Sequence, residues 1–260
     1  MKLFDSHCHL DDRSYRNDLE TVIRHANQMG IQKIMTIGID LETSGLAIEI
    51  ARKFKGVYAS VGVHPHRASA CSEPMIQTLS DLAKNPQVRA WGEIGLDFNR
   101  MYSSRKDQET WFVRQLQAAD ELSLPVILHE RDSQGKLLQM LDRHPNEKRR
   151  GAVHCFSGDL NELDRYLELG YYIGITGILT LKKRGRQLRA LVRHIPLGRL
   201  LIETDAPYLT PTPQKNKTRR NEPAFVISVL LKLAECREMA PESLASITYD
   251  NAQNLFSARP

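Results

Sequence analysis

The sequence predicts a single α/β domain over residues 1–260, a (β/α)8 TIM barrel with its reactive centre at the C-terminal ends of the strands. Three observations carry this reading. Eight short apolar runs rich in β-branched and aromatic residues recur along the chain. The stretches between most of them repeat apolar residues every three or four positions, the period of a helix buried on one face. Histidines and acids gather at the ends of the runs, where a barrel does its chemistry.

The runs fall at 3–10, 33–38, 57–64, 88–96, 125–129, 151–156, 171–176 and 200–205. Among the intervening helices, the first aligns Leu19, Val22, Ile23 and Ala26, and a later one aligns Trp111, Phe112, Gln115, Leu116 and Ala119. An open doubly wound sheet usually has fewer strands and a G-x-G-x-x-G phosphate loop after the first, which this chain lacks. No repeat, low-complexity tract or shift in composition divides the chain. The Pro-, Lys- and Arg-rich stretch 207–223 reads as a functional loop, not a linker.

With 260 residues and 41% hydrophobic content the chain can bury one sizeable core. Its 36 Lys and Arg against 31 Asp and Glu leave a formal charge of +5, which favours anionic partners where it collects on one face. Cys8, Cys71, Cys155 and Cys236 form no C-x-x-C pair and no short-range framework of the secreted kind, so reduced thiols are expected. Charged and polar residues follow Met1 too soon for a signal-peptide core, and no apolar run reaches membrane-spanning length. The expectation is a cytoplasmic protein with no membrane segment and no obligate protein partner.

Strand one ends in His7-Cys8-His9, and alternation along a strand turns both histidines one way and Cys8 the other. Strand three ends in His64-Pro65-His66, strand four in Gly92-Glu93-Ile94-Gly95-Leu96-Asp97, strand five in His129-Glu130, strand six in His154-Cys155 and strand eight in Glu203-Thr204-Asp205. A lone H-x-H pair carries little weight, because histidine is often a core or surface residue. Recurrence from strand end to strand end carries much more. Imidazoles suit transition ions and carboxylates suit harder ones, so the mixed set suits two adjacent divalent ions, Mg²⁺, Mn²⁺ or Zn²⁺. Glu93, an acid in an apolar strand, is costly to bury alone, and a bound cation compensates, with Glu93 expected to bridge two ions. Taken singly, Glu93 also fits a buried ion pair and Asp205 a helix cap. Glu203, one pleat deeper than Asp205, reads as a supporting or core group. His25, His144 and His194 lack such acidic company and read as surface residues.

These motifs, with Glu203-Thr204-Asp205-Ala206-Pro207-Tyr208, resemble the TatD family of metal-dependent deoxyribonucleases essentially end to end. Further matches are Arg131-Asp132 after His129, His154-Cys155-Phe156-Ser157-Gly158, Gly174-Ile175-Thr176-Gly177 and Arg220-Asn221-Glu222-Pro223. The resemblance implies that His7, His9, Glu93 and Asp205 hold one ion, and that Glu93, His129 and His154 surround a second. It makes His64 a substrate-side neighbour, and Arg131, Arg220, Asn221 and Tyr208 candidate substrate contacts. Glu130 departs from the family, which often has a small or thiol residue there; an extra acid beside the site would alter metal preference or repel substrate.

A pair of ions would supply hydroxide near neutral pH and stabilise charge on the attacking and leaving oxygens, with Glu93 and Asp205 as the catalytic carboxylates and Asp205 placed to orient or deprotonate the water. Two basic runs, Lys182-Lys183-Arg184-Gly185-Arg186 and Lys215-Asn216-Lys217-Thr218-Arg219-Arg220, follow strands seven and eight and should rim the same face. Phe98, Tyr102, Phe156 and Tyr208 lie where they can stack on splayed bases, with core packing the expected role for Phe156. The expected activity is hydrolysis of DNA phosphodiester bonds. The resemblance alone adds 3′-5′ exonuclease polarity on single-stranded DNA, with RNA a related substrate. Alternatives are a metal-dependent ester or amide hydrolase, including a deacylase of mischarged tRNA, and a non-catalytic nucleic-acid-binding protein.

Overall fold

The structure, a computed structural model, describes residues 1–256. The order is β1 (Leu3–Cys8), α1 (Leu19–Gln28), β2 (Ile31–Thr36), α2 (Leu41–Lys53), β3 (Val57–Val61), α3 (Glu73–Leu82), β4 (Val88–Asp97), α4 (Arg105–Glu121) and β5 (Val126–Arg131). It continues with α5 (Lys136–Arg143), β6 (Gly151–Val153), α6 (Leu160–Glu168), β7 (Tyr172–Ile175), α7 (Arg186–Leu191), β8 (Leu200–Ile202), α8 (Val226–Arg237) and α9 (Pro241–Phe256). All eight expected strands form, each parallel to the next in sequence order. The expected helical faces are the buried ones: Val22, Ile23 and Ala26 on α1, and Phe112, Gln115, Leu116 and Ala119 on α4.

The strands stop short of the expected limits where they carry the most chemistry. β6 ends at Val153 and β8 at Ile202, so His154, Glu203 and Asp205 lie just past the ladders. There the chain turns sharply, with Cys155 at φ 49° and Asp205 at φ 56°, both in the left-handed region.

The apolar interior has two layers. Between strands and helices lies the larger cluster, with Leu3, Trp91, Leu128, Val153 and Ile202. Inside the barrel and below it sit Phe4, Met35, Ile37, Ala90, Ile127, Ala152 and Leu201, joined by Leu255 and Phe256 of α9. The Phe4 ring lies 6.0 Å from Phe256 and 6.5 Å from Tyr249. Asn251 donates to the carbonyls of Leu197 at 2.7 Å and Leu200 at 2.9 Å, anchoring α9 beside β8. The helix thus plugs the amino-terminal end, leaving the opposite end open for chemistry.

β8 and β1 close the barrel only at that open end. Asp205 N–H donates to the His7 carbonyl at 2.9 Å, and His9 N–H to the Ala206 carbonyl at 2.7 Å. Below them side chains replace the ladder. Asp5 accepts from Thr204 N–H at 2.9 Å and Thr204 Oγ1 at 2.6 Å, and Ser6 Oγ donates to the Ile202 carbonyl at 3.1 Å.

Candidate metal centre

Each strand delivers its polar residue by counting from the interior layer. On β5, inward Ile127 makes His129 inward; on β6, Ala152 does the same for His154; on β8, Leu201 does it for Glu203 and Asp205. β1 and β4 need a correction. With Phe4 inside, strict alternation would turn Cys8 inward and His7 outward. A register shift between Asp5 and Cys8 rephases the strand, so Cys8 Sγ meets the Met35 carbonyl at 3.6 Å and His7 enters the barrel. On β4, Ala90 is inside, and a shift between Trp91 and Ile94 brings Glu93 inward as well. Gly92 makes room for this: a Cβ there would lie 2.7 Å from Ile127 Cβ.

The six expected ligand residues converge. His7 Nε2 lies 3.4 Å from Glu93 Oε2 and 3.8 Å from Asp205 Oδ1, and His9 Nε2 is 3.4 Å from that same Asp205 oxygen. His129 Nδ1 meets Glu93 Oε1 at 2.6 Å. Glu93 therefore divides its two oxygens between opposite sides of the cluster. The ion-sized groupings are His7, His9 and Glu93; His7, His154 and Asp205; and His64, Glu93 and His129. His154, expected beside the second ion with Glu93 and His129, stands instead with His7, ring stacked on ring at 3.4 Å, and its Nε2 is 3.7 Å from Asp205 Oδ1. His64 completes the group on the far side, its Nε2 3.2 Å from His129 Nδ1.

The donors fit a bound cation. His7 is fully buried, yet neither ring nitrogen makes a hydrogen bond, while Nε2 faces two carboxylates. Burial pushes the Glu93 carboxyl up, but His64, His7 and His129 outweigh it and hold it well below the usual carboxylate range. Burial lowers His129, but hydrogen bonds to Asp97 and Glu93 raise it to about 9. Burial also opposes the charge on His154, but Glu203 and Asp205 raise it to about 10. His7 and His64 are lowered, by burial first and by neighbouring imidazoles next. Protons on two of the rings thus supply the positive charge that this acidic cluster demands.

Two residues outside the expected ligand set hold the ligands in place. Glu203 Oε1 sits 2.8 Å from His154 Nδ1 and accepts from Cys155 N–H at 2.7 Å, while Oε2 accepts from Ser6 Oγ at 3.2 Å. This is the supporting place expected for it one pleat below Asp205. Asp97, buried at the end of β4, joins His129 Nε2 at 3.2 Å to His66 Nε2 at 2.7 Å. Its place on the same strand face as Glu93, four residues on, was the available signal.

The expected substrate contacts are dispersed. Tyr208 is 53% exposed and stands edge-on to His9 at 5.8 Å. Arg131 is half-buried at the end of β5. Arg220 is committed to tying the loop after β8 to the segment between β1 and α1, bonding the Ser14 carbonyl and Asp18 as well as its neighbour Glu222. Asn221 is fully buried, donating to the carbonyls of Thr204 at 2.9 Å and Tyr208 at 2.6 Å, and so it shapes the loop that presents Tyr208. Glu130 accepts from Ser133 N–H at 3.0 Å ahead of α5 and belongs to none of the ion-sized groupings. His25, expected at the surface without acidic company, pairs with Glu222 at 3.0 Å.

The basic runs do share one sector of the rim. Lys182, Lys183, Arg184, Lys215, Lys217 and Arg219 are exposed, and Thr212 N–H donating to Thr180 Oγ1 at 2.8 Å ties the two loops together.

Comparison with known proteins agrees with this geometry. The family model described as TatD related DNase matches residues 4–257. A protein of Salmonella typhimurium named 3′-5′ ssDNA/RNA exonuclease TatD is 38% identical over 257 residues, 98% of each chain. The protein of that name from Klebsiella pneumoniae is 40% identical over 257 residues, 98% of this chain and 97% of its own. The crystal structure of YJJV, a TatD homologue from Escherichia coli K12, superposes with a TM-score of 0.91 at 31% identity, covering 99% of this chain and 98% of its own.

Proposed function

The chain belongs to the TatD related DNases, and from that membership we propose that it is a divalent-metal-dependent nuclease trimming single-stranded DNA and RNA from the 3′ end. The observation that carries the reading is the split of Glu93 between His7 on one side and His64 and His129 on the other. One buried carboxylate placed this way suits a bridge between two cations. His7, His9, His154 and Asp205 would hold the first, and His64 and His129 the second. Divalent ions bound there supply positive charge for a phosphodiester's reacting oxygens and a water made nucleophilic near neutral pH.

The chain does the rest. Asp205 is kept a carboxylate, since His154, His9 and His7 outweigh the burial that raises it, and so is ready to orient the attacking water and take its proton. Glu203 and Asp97 fix the tautomers and tilt of His154 and His129. The exposed cations after β7 and β8 hold the phosphate backbone, and Tyr208 offers a face to a base beside His9. Four free cysteines, and no helix among the described residues long and apolar enough to cross a membrane, accord with a cytoplasmic place of action.

The test incubates metal-stripped protein with 5′-labelled single-stranded DNA and Mg²⁺, Mn²⁺ or Zn²⁺ in turn, comparing wild type with Glu93→Ala on a denaturing gel. A metal-dependent ladder shortened from the 3′ end, absent with the folded variant, is expected. No cleavage with any ion would overturn the reading and direct attention to ester or amide substrates.

A further inference from the structure

β3 pairs with β4 only as far as Val61 opposite Trp91, whereas the other edge of β4 stays paired with β5 as far as Asp97 opposite Arg131. Beyond Val61 the facing edges of these two chain segments therefore lack a strand neighbour, just where they deliver His64, His66 and Asp97. Two glutamines of α4 occupy that gap. Gln115 Oε1 accepts from Val63 N–H at 2.7 Å and from Trp91 Nε1 at 3.3 Å, while its Nε2 donates to the Val63 carbonyl at 3.0 Å. Gln108 Oε1 accepts from Asp97 N–H at 2.8 Å, and its Nε2 donates to the carbonyls of Asp97 at 3.1 Å and Ser103 at 2.9 Å. Ser103 Oγ in turn donates to the His66 carbonyl at 3.2 Å.

A primary amide carries a donor and an acceptor side by side, as a peptide unit does, so each glutamine satisfies both backbone groups of one residue as a strand neighbour would. The two are seven residues apart, two turns along one helix face, and both are buried. Buried amides at this spacing do more than fill space: they fix the chain immediately before His64 and at Asp97, the carboxylate that holds His129.

We propose that Gln108 and Gln115 are positioning residues that set the geometry of one half of the centre, the His64, Glu93 and His129 group. The other half is held by β1 and the ends of β6 and β8, with no contact from either glutamine among their hydrogen bonds. The proposal rests on the two-ion reading above, and its test separates the two.

Gln108→Met and Gln115→Met, each in the full chain, keep the length of the side chain and remove the amide. Gln108→Glu keeps the acceptor for Asp97 N–H while removing the amide donor to the carbonyls of Asp97 and Ser103. Thermal melting establishes which variants fold. Mn²⁺ titration calorimetry and the Mn²⁺ electron paramagnetic resonance signal are then compared with those of His129→Ala and His9→Ala, references for loss of each half. One Mn²⁺ should bind roughly tenfold to a hundredfold more weakly, as in His129→Ala, while the other holds within about twofold. Equal weakening of both ions in step with the melting temperature, or no weakening, overturns the proposal. A second readout needs no metal: the ring ¹⁵N resonances of His64 and His129 should move in the variants while those of His9 and His154 stay. If wild type binds no Mn²⁺, the two-ion reading fails, and unmoved ring resonances would then overturn the positioning role as well.

Discussion

At the scale of single residues, His129 and His154 hold their protons at about 9 and about 10 because carboxylates outweigh the cost of burying charge. Both rings are therefore protonated at neutral pH in the ion-free chain, and a cation using those nitrogens must displace the protons. Ion affinity should rise with pH through the neutral range, each binding event releasing protons. Calorimetry of Mn²⁺ binding in buffers of different ionisation enthalpy reads this directly: release at pH 7, shrinking as the pH passes about 9 and then about 10. A binding heat indifferent to the buffer would show that the rings enter the site neutral. Residue types at strand ends picked out in the sequence the side chains that converge in the barrel mouth, because imidazoles and acids recur there. Substrate contacts were less legible. Whether Arg220 faces a phosphate or Asp18 depends on residues some two hundred positions away, which no local pattern records.

Among the elements, β5, β6 and β8 were readable by alternation, while β1 and β4 were not, since each changes phase at a register shift. The end-of-strand motifs on β1 and β4 still named residues that converge in the barrel mouth, although simple counting from the apolar interior points the other way. β7 shows the matching constraint from the opposite side. A Cβ on Gly174 would lie 2.5 Å from Glu203 Oε2, the carboxylate that orients His154. Gly174→Ala should cost about 1–3 kcal/mol by thermal or urea unfolding, as overpacking does. It should also weaken ion binding through His154, by roughly tenfold or more. A variant as stable as wild type with unaltered Mn²⁺ affinity would show that the Glu203 shelf has slack.

For the molecule as a whole, the excess of positive charge is gathered where it can act, on the tied loops after β7 and β8. A single strand lying there gives a KM that rises with salt. Reversing Lys182, Lys183 and Arg184 to Glu should flatten the plot of log KM against log salt by about 0.7 for each lost phosphate contact. An unchanged slope would place the strand elsewhere on the rim. The barrel as such was legible from the recurrence of strands and helices, but its plug was not: α9 follows the eighth strand with no partner strand of its own, and its docking against Phe4 is a contact across the whole length of the chain. The seam that joins β8 to β1 has the same reach, and it bears on how the protein is made. His7 and His9 are translated some two hundred residues before Glu203, Asp205 and the Thr204 that grips Asp5. A nascent chain stalled before that point exposes an open edge and an incomplete set of ligands. Products terminated before Thr204 would therefore lack both the seam and part of the expected ligand set, and should not degrade nucleic acid.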